Sequence, residues 1–187
     1  MILPVHKYGN EVYARAAAHN GTVAPDLKLL ADMWDTLQAC NVPVLTARHV
    51  GALQRVAVVD TSLGLRWRDD VEPTGEPFRE VLIDPQIVQE RGMLVSFLEY
   101  DAAVPGLASS VARRREVLAR WTQSDGEPWE QWLSGPAARV VQSAIDSLNG
   151  CGLIERLSPT RRRSAKGHLK RLAEGKVPVR YPMVAGT

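Results

Sequence analysis

Apolar residues recur at three- and four-residue steps through Leu27, Leu30, Met33, Trp34 and Leu37, the spacing that lines one face of an α-helix. Asp26 stands where its carboxylate can accept from the first unpaired N–H groups, and the pattern predicts a helix over about Pro25–Cys40. A second stripe, Val140, Val141, Ala144, Ile145 and Leu148, predicts a helix over about Gly135–Asn149. Pro136 suits its first turn and Gly150 its end. A polar helix, Thr160 to Glu174, follows Ser158-Pro159. Between the helices, Val56-Ala57-Val58-Val59 reads as a buried strand ending at Asp60, after an extended stretch that follows a turn at Asn41 to Pro43. Strand-like pieces recur at Val81–Ile83, Val95–Leu98 and Val111–Trp121, and Gln123–Glu127 carries an Asp-Gly turn signal. Leu63 to Phe78, around Trp67, reads as a surface loop. Strands around a central helix, with helices at both ends, predict an α+β domain.

Composition narrows this picture little. A chain of 187 residues with 45% hydrophobic and 24% charged positions is an ordinary packed protein, expected to form one domain. No apolar run is long enough to span a bilayer, and the opening residues carry no basic stretch followed by a long apolar one. Only Cys40 and Cys151 are present, so no disulfide framework organises the fold and a cytoplasmic location is expected. Net charge is +2, which advertises no nucleic acid. The runs Arg113-Arg114-Arg115 and Arg161-Arg162-Arg163 lack interleaved aromatics, and the second opens a solvated helix face.

Several strings then fall in a particular order: Ile2-Leu3-Pro4-Val5 with Tyr8-Gly9-Asn10, Asp32-Met33-Trp34-Asp35-Thr36, Ala138-Arg139-Val140-Val141-Gln142, Ile145-Asp146, Leu148-Asn149-Gly150 and Arg156-Leu157-Ser158-Pro159. In that order and spacing the chain resembles peptide deformylase over about residues 1–175, with a C-terminal tail over 176–187. The resemblance implies a peptide-deformylase-like fold, antiparallel strands around a central helix.

The family carries its chemistry in three motifs, and each differs here. Where it has His-Glu-x-x-His, this chain has Ser143-Ala144-Ile145-Asp146-Ser147. Two histidines four apart on a helix face would bind a divalent metal, with the glutamate handling the proton of its water. Where the family has Glu-Gly-Cys-Leu-Ser, this chain reads Glu99-Tyr100-Asp101-Ala102-Ala103. The family's Gly-x-Gly-Leu-Ala-Ala-x-Gln-x-Gly becomes Val42-Pro43-Val44-Leu45-Thr46-Ala47-Arg48-His49-Val50-Gly51. A serine hydroxyl is a poor ligand beside imidazole or thiolate. Without a metal, water keeps a pKa of about 15.7.

On this basis the resemblance implies that no metal or other cofactor is held and that metal-dependent deformylation is lost. The pocket would gather His49 as base, Asp101 as its orienting partner, and Ser143 or Ser147 as nucleophile or donor. The alternative is that Ser143, Ala144 and Ser147 merely fill a vacated hole and that His49 is a hydrogen-bonded pocket residue. Val44, Ala102, Arg113 and Val140 fall where the family meets its substrate, with the N–H of Ala102 placed to stabilise negative charge. Arg113 could equally be a strand-edge charge, and Val140 equally core. Glu99 is expected to pair with a nearby arginine. Trp67, Trp121, Trp129 and Trp132 could wall a ligand site, or anchor core and loops. The expected function is metal-independent acid–base or acyl chemistry on a small peptide-like or aminoacyl substrate in a dedicated biosynthetic pathway. The alternative is a non-catalytic pseudoenzyme holding a peptide, a carrier-bound intermediate or a protein partner. Neither nucleic acid nor membrane is expected as a partner, and the sequence leaves the oligomeric state open.

Overall fold

A computed structural model describes residues 1–17, 26–64 and 77–184. In chain order the elements are β1 (Val5–His6), α1 (Glu11–Ala14), α2 (Leu27–Cys40), β2 (Val44–Thr46), β3 (Val56–Asp60), β4 (Arg79–Tyr100), β5 (Ala108–Thr122), β6 (Pro128–Ser134), α3 (Gly135–Leu148), α4 (Pro159–Ala173) and β7 (Met183–Val184). Short 3-10 turns lie at Ala47–Val50 and Ile154–Arg156. Five strands form one antiparallel sheet in the order β2-β3-β4-β5-β6, and β1 pairs in parallel with β7.

The two amphipathic helices, α2 and α3, form where the apolar stripes place them, and the polar helix forms as α4. Asp26 caps α2 by accepting from the N–H of Lys28, and Asn41 ends it in the left-handed conformation. Ser134 precedes α3, which carries Pro in its first turn. Pro25 and most of the predicted loop around Trp67 lie outside the described residues.

The sheet lies between these two helices, and β3 explains how. All five of its residues are buried. Val56 and Val58 pack with Leu30, Met33 and Leu37 of α2. Ala57 and Val59 pack with Val140, Val141, Ala144 and Leu148 of α3. A strand covered on both faces has no polar side to show, hence its unbroken apolar run. A third cluster joins Tyr13, Ala103, Val104 and Val111 to Leu157, Ala165 and Leu172 beneath α4.

The strand-like pieces at Val81–Ile83 and Val95–Leu98 belong to one strand, β4, interrupted by register shifts between Ile83 and Gln86, Ile87 and Gln89, and Arg91 and Leu94. Gly92, at φ +78°, supplies the last irregularity. The Asp-Gly turn joins β5 to β6, a strand whose nearly uniform exposure hides it from pattern reading. The segment read as a tail returns to the body, where Val5 pairs with Met183 and His6 with Val184. Among the described residues no helix is long and apolar enough to cross a membrane.

Candidate active site

Three pieces of chain meet beside α3: the 3-10 turn after β2, the β4–β5 turn, and the loop after α3. The 3-10 turn begins at Thr46, whose backbone N–H donates to His49 Nδ1 at 3.1 Å. That bond makes Nδ1 an acceptor, so the ring proton sits on Nε2 and is donated to Asp101 Oδ1, also at 3.1 Å. Asp101 opens the β4–β5 turn and accepts further from the N–H of Ala103 at 2.8 Å, Tyr13 Oη–H at 2.7 Å and the N–H of Leu153 at 3.2 Å. Burial on its own would raise this carboxyl. The donors from His49, Tyr13 and Ala103 outweigh it and hold the group well below the usual carboxylate range. The Tyr13 hydroxyl is pushed up, first by burial and then by the Asp101 charge.

Two further contacts lock this arrangement. A side chain on Gly152 would collide with the Tyr13 hydroxyl, so glycine is needed for that close approach. Arg48, fully buried, lies over the Tyr13 ring at 4.1 Å and donates to the carbonyls of Tyr13 and Ser147. Asp101 therefore takes His49 as its partner, while Arg48 holds backbone.

Of the four predicted chemical residues, His49 and Asp101 are in direct contact. Ser147 joins them through an intermediate: Ser147 Oγ lies 3.0 Å from Thr46 Oγ1, which lies 2.7 Å from His49 Nδ1. Ser143 bonds to neither but lines a cavity of about 20 Å³ with His49, Asp101, Arg113 and Ser147. That space holds roughly one water molecule. The imidazole lone pair is engaged by Thr46 and faces neither serine directly. A serine–histidine contact does not form. Cys151 lines the same cavity, and no spacing rule pointed to it.

The predicted substrate contacts divide similarly. Val44 and Val140 line a second cavity of about 10 Å³, together with Pro43, Glu99, Arg139 and Ser143. Ala102 is fully buried, and its carbonyl accepts from Tyr181 Oη–H at 2.8 Å. Arg113 is neither a strand-edge charge nor held out toward a ligand. Its guanidinium is bound by Glu99 at 2.6 and 2.8 Å and by Asp146 at 2.6 Å. Arg139 shares Glu99, and Arg156 shares Asp146. Glu99 thus has the arginine partners expected of it. Trp121 is core, packed edge-on to Phe78, whereas Trp129 and Trp132 are partly exposed on β6. Trp67 lies outside the described residues.

The divalent metal implied by the resemblance can be tested against this donor set. Ser143 and Ser147 offer hydroxyls, and both oxygens of Asp101 already accept hydrogen bonds. Among the described residues no group of three or more His, Cys, Asp or Glu could hold a metal ion. These residues do not fit the metal site of the motifs.

A helix cradled by an antiparallel sheet, with a buried histidine–carboxylate pair beside its C-terminal end, defines an α+β class of fold. The chain superposes on a peptide deformylase from Ehrlichia chaffeensis with a TM-score of 0.79 at 24% identity, covering 94% of this chain and 98% of that one. A peptide deformylase from Legionella pneumophila gives a TM-score of 0.75 at 26% identity, covering 95% of this chain and all of that one. A profile of polypeptide deformylase matches residues 2–163. Peptide deformylase of Christiangramia forsetii is 30% identical over 190 residues, 98% of this chain and 95% of the relative. That of Chlorobaculum tepidum is 32% identical over 185 residues, 98% and 94%. The chain belongs to the polypeptide deformylase family.

These matches correct the functional expectation drawn from the motifs. Recruitment to metal-independent chemistry in a biosynthetic pathway, or to non-catalytic binding, set five altered positions above everything else. Near-complete mutual coverage by relatives named peptide deformylase overturns that expectation.

Proposed function

We propose that the chain acts at the amino-terminal end of a peptide and hydrolyses the N-formyl amide there, the activity carried in its relatives' name. The supporting observation is that the relationship runs the length of the chain, at 30–32% identity over 98% of it, and not through one motif. In this reaction the oxygen of water bonds to the formyl carbon, the amide C–N bond breaks, and the nitrogen takes a proton. Formate and a free amine result. In this reading the chain is a divergent member of its family, with His49, Asp101, Ser143, Ala144 and Ser147 at the positions where the motifs carry their chemistry. Its own residues supply a fixed anion at Asp101, held by the Nε2–H of His49, and a water-sized space beside both. Two free cysteines, Cys40 and Cys151, suit a reducing cytoplasm as the place of action.

The test is formate release from an N-formyl-methionyl-alanyl-serine peptide and its N-formyl-alanyl counterpart by the purified full chain. It is followed with a formate-dehydrogenase coupled assay, as purified, after chelator treatment, and with iron(II), nickel, cobalt or zinc added. Release above the enzyme-free blank in any of these conditions supports the proposal. No release in all of them overturns it.

A further inference from the structure

The peptide group joining Ala102 to Ala103 stands between two partners. Its N–H, on Ala103, donates to Asp101 Oδ1 at 2.8 Å, and its carbonyl, on Ala102, accepts from Tyr181 Oη–H at 2.8 Å. A peptide unit is planar, so its two ends cannot turn independently. Asp101 Oδ1 is also the oxygen that receives the Nε2–H of His49, at 3.1 Å. One continuous series of hydrogen bonds therefore runs from the Tyr181 hydroxyl, through the peptide plane, to the carboxylate and the imidazole. Bonds in such a series polarise one another, the more so away from water.

Ala102 and Ala103 are both fully buried, so neither end of the plane has water to turn to. Rotating the plane would swing the Ala102 carbonyl toward Asp101 and set two acceptors against each other with no proton between them. Tyr181 opposes that rotation from the far side. Its ring packs against the cluster that contains Leu45, Ala47 and Ala102. Burial pushes its hydroxyl up, so the group stays protonated and remains a donor. Tyr181 is carried in by the segment that ends in β7, whose Met183 and Val184 pair with Val5 and His6. It stands beyond residue 163, where the family profile ends.

We infer that Tyr181 is a positioning residue of the site: through the Ala102–Ala103 peptide it fixes the carboxylate oxygen of Asp101 that holds His49. The inference rests on the deformylase reading for the reaction that this pair serves. The C-terminal segment, expected from the sequence to be a tail, is then a part of the active site, and the side chain that makes it so touches backbone alone.

Tyr181→Phe removes the hydroxyl and keeps the ring in its packing. Amide hydrogen exchange, read by NMR on the full chain, compares Ala103 with Val58, a fully buried residue of β3 that reports opening of the whole fold. One neutral hydrogen bond is worth about 2- to 12-fold in an equilibrium, so exchange at Ala103 relative to Val58 should rise about threefold or more. The His49 Nε2–H resonance should shift in the same variant. Met183→Ala loosens the same segment without removing the hydrogen bond to Ala102, and should leave the exchange ratio within about threefold of wild type. A smaller rise in Tyr181→Phe, an unmoved His49 resonance, or an equal rise in Met183→Ala overturns the inference. In formate release from the N-formyl peptides, kcat of Tyr181→Phe should fall about threefold or more with KM within about twofold, the mark of a group that acts after binding. An unchanged kcat in a protein that releases formate also overturns it. If wild type releases no formate from any peptide while the exchange and resonance results hold, the deformylase reading fails and the positioning of Asp101 and His49 by Tyr181 stands.

Discussion

Replacing Glu99 with glutamine keeps the volume of the side chain and removes one buried negative charge. In the native protein Glu99 faces two guanidinium groups, Arg113 and Arg139, all three at 6% exposure or less. Arg113 retains Asp146 after the change, but Arg139 is left with no carboxylate, only backbone carbonyls and the ring of Phe97. Breaking a buried ion pair from one side typically costs about 3–5 kcal/mol, because the surviving charge stays desolvated. For a chain of this size each kcal/mol moves the midpoint by roughly 2–4 °C, so Glu99→Gln should lower Tm by about 6–20 °C. Arg139→Met in the Glu99→Gln background removes the stranded cation and should recover part of the loss. Urea unfolding of wild type, both single variants and the double variant gives the coupling energy. A Tm change under about 2 °C, or strict additivity in the cycle, would refute the claim that Glu99 neutralises buried arginines.

Asp101→Asn should destabilise the chain by about 2–3 kcal/mol at neutral pH, since a carboxylate accepting from His49, Tyr13 and Ala103 becomes an amide. The folded carboxyl sits below its ordinary value of 3.8, so between those two values the unfolded chain binds the extra proton and stability falls with falling pH. The gap between wild type and Asp101→Asn, measured by urea unfolding, should therefore narrow as pH drops below about 4; a constant gap would contradict it. Burial pushes the Cys40 thiol up to about 12 from 9.0. At pH 8 its thiolate fraction is about a thousandfold below that of an ordinary thiol, and disulfide-exchange labelling in Cys151→Ser protein should slow accordingly. Reaction at the rate of a free peptide cysteine would refute it. Leu148→Ala, at a fully buried position of α3, should cost about 2–5 kcal/mol in the same unfolding assay, and a loss under about 1 kcal/mol would place Leu148 outside the core.

Helices α2 and α3 were legible because each presents an unbroken stripe to a sheet face. β3 was legible because helices cover both its faces and leave it uniformly apolar. The rest of the sheet was harder. β4 is broken by irregularities and runs largely exposed past Ile87, so alternation survives only in pieces. β6 is exposed at six of its seven positions and shows no apolar face. At the site, His49 and Asp101 could be paired because a family resemblance brought them to one point. Tyr13 stands 88 residues from Asp101, and Thr46 enters through its backbone as much as its hydroxyl. Nothing in local spacing announces either. Motif positions, weighed alone, also misdirected the functional reading, since they say nothing of the likeness carried by all the other residues.

The parallel pairing of Val5–His6 with Met183–Val184 has a bearing on how the protein is made. Synthesis proceeds from the amino end, so Val5–His6 must stay unpaired with β7 until Met183–Val184 have left the ribosome. Meanwhile Arg48 can hold the carbonyl of Tyr13, but its second anchor, on Ser147, arrives only after 99 further residues have been added. Completion of the pocket is thus a late event in biogenesis, and nascent chains stalled before α3 would be natural clients for chaperones.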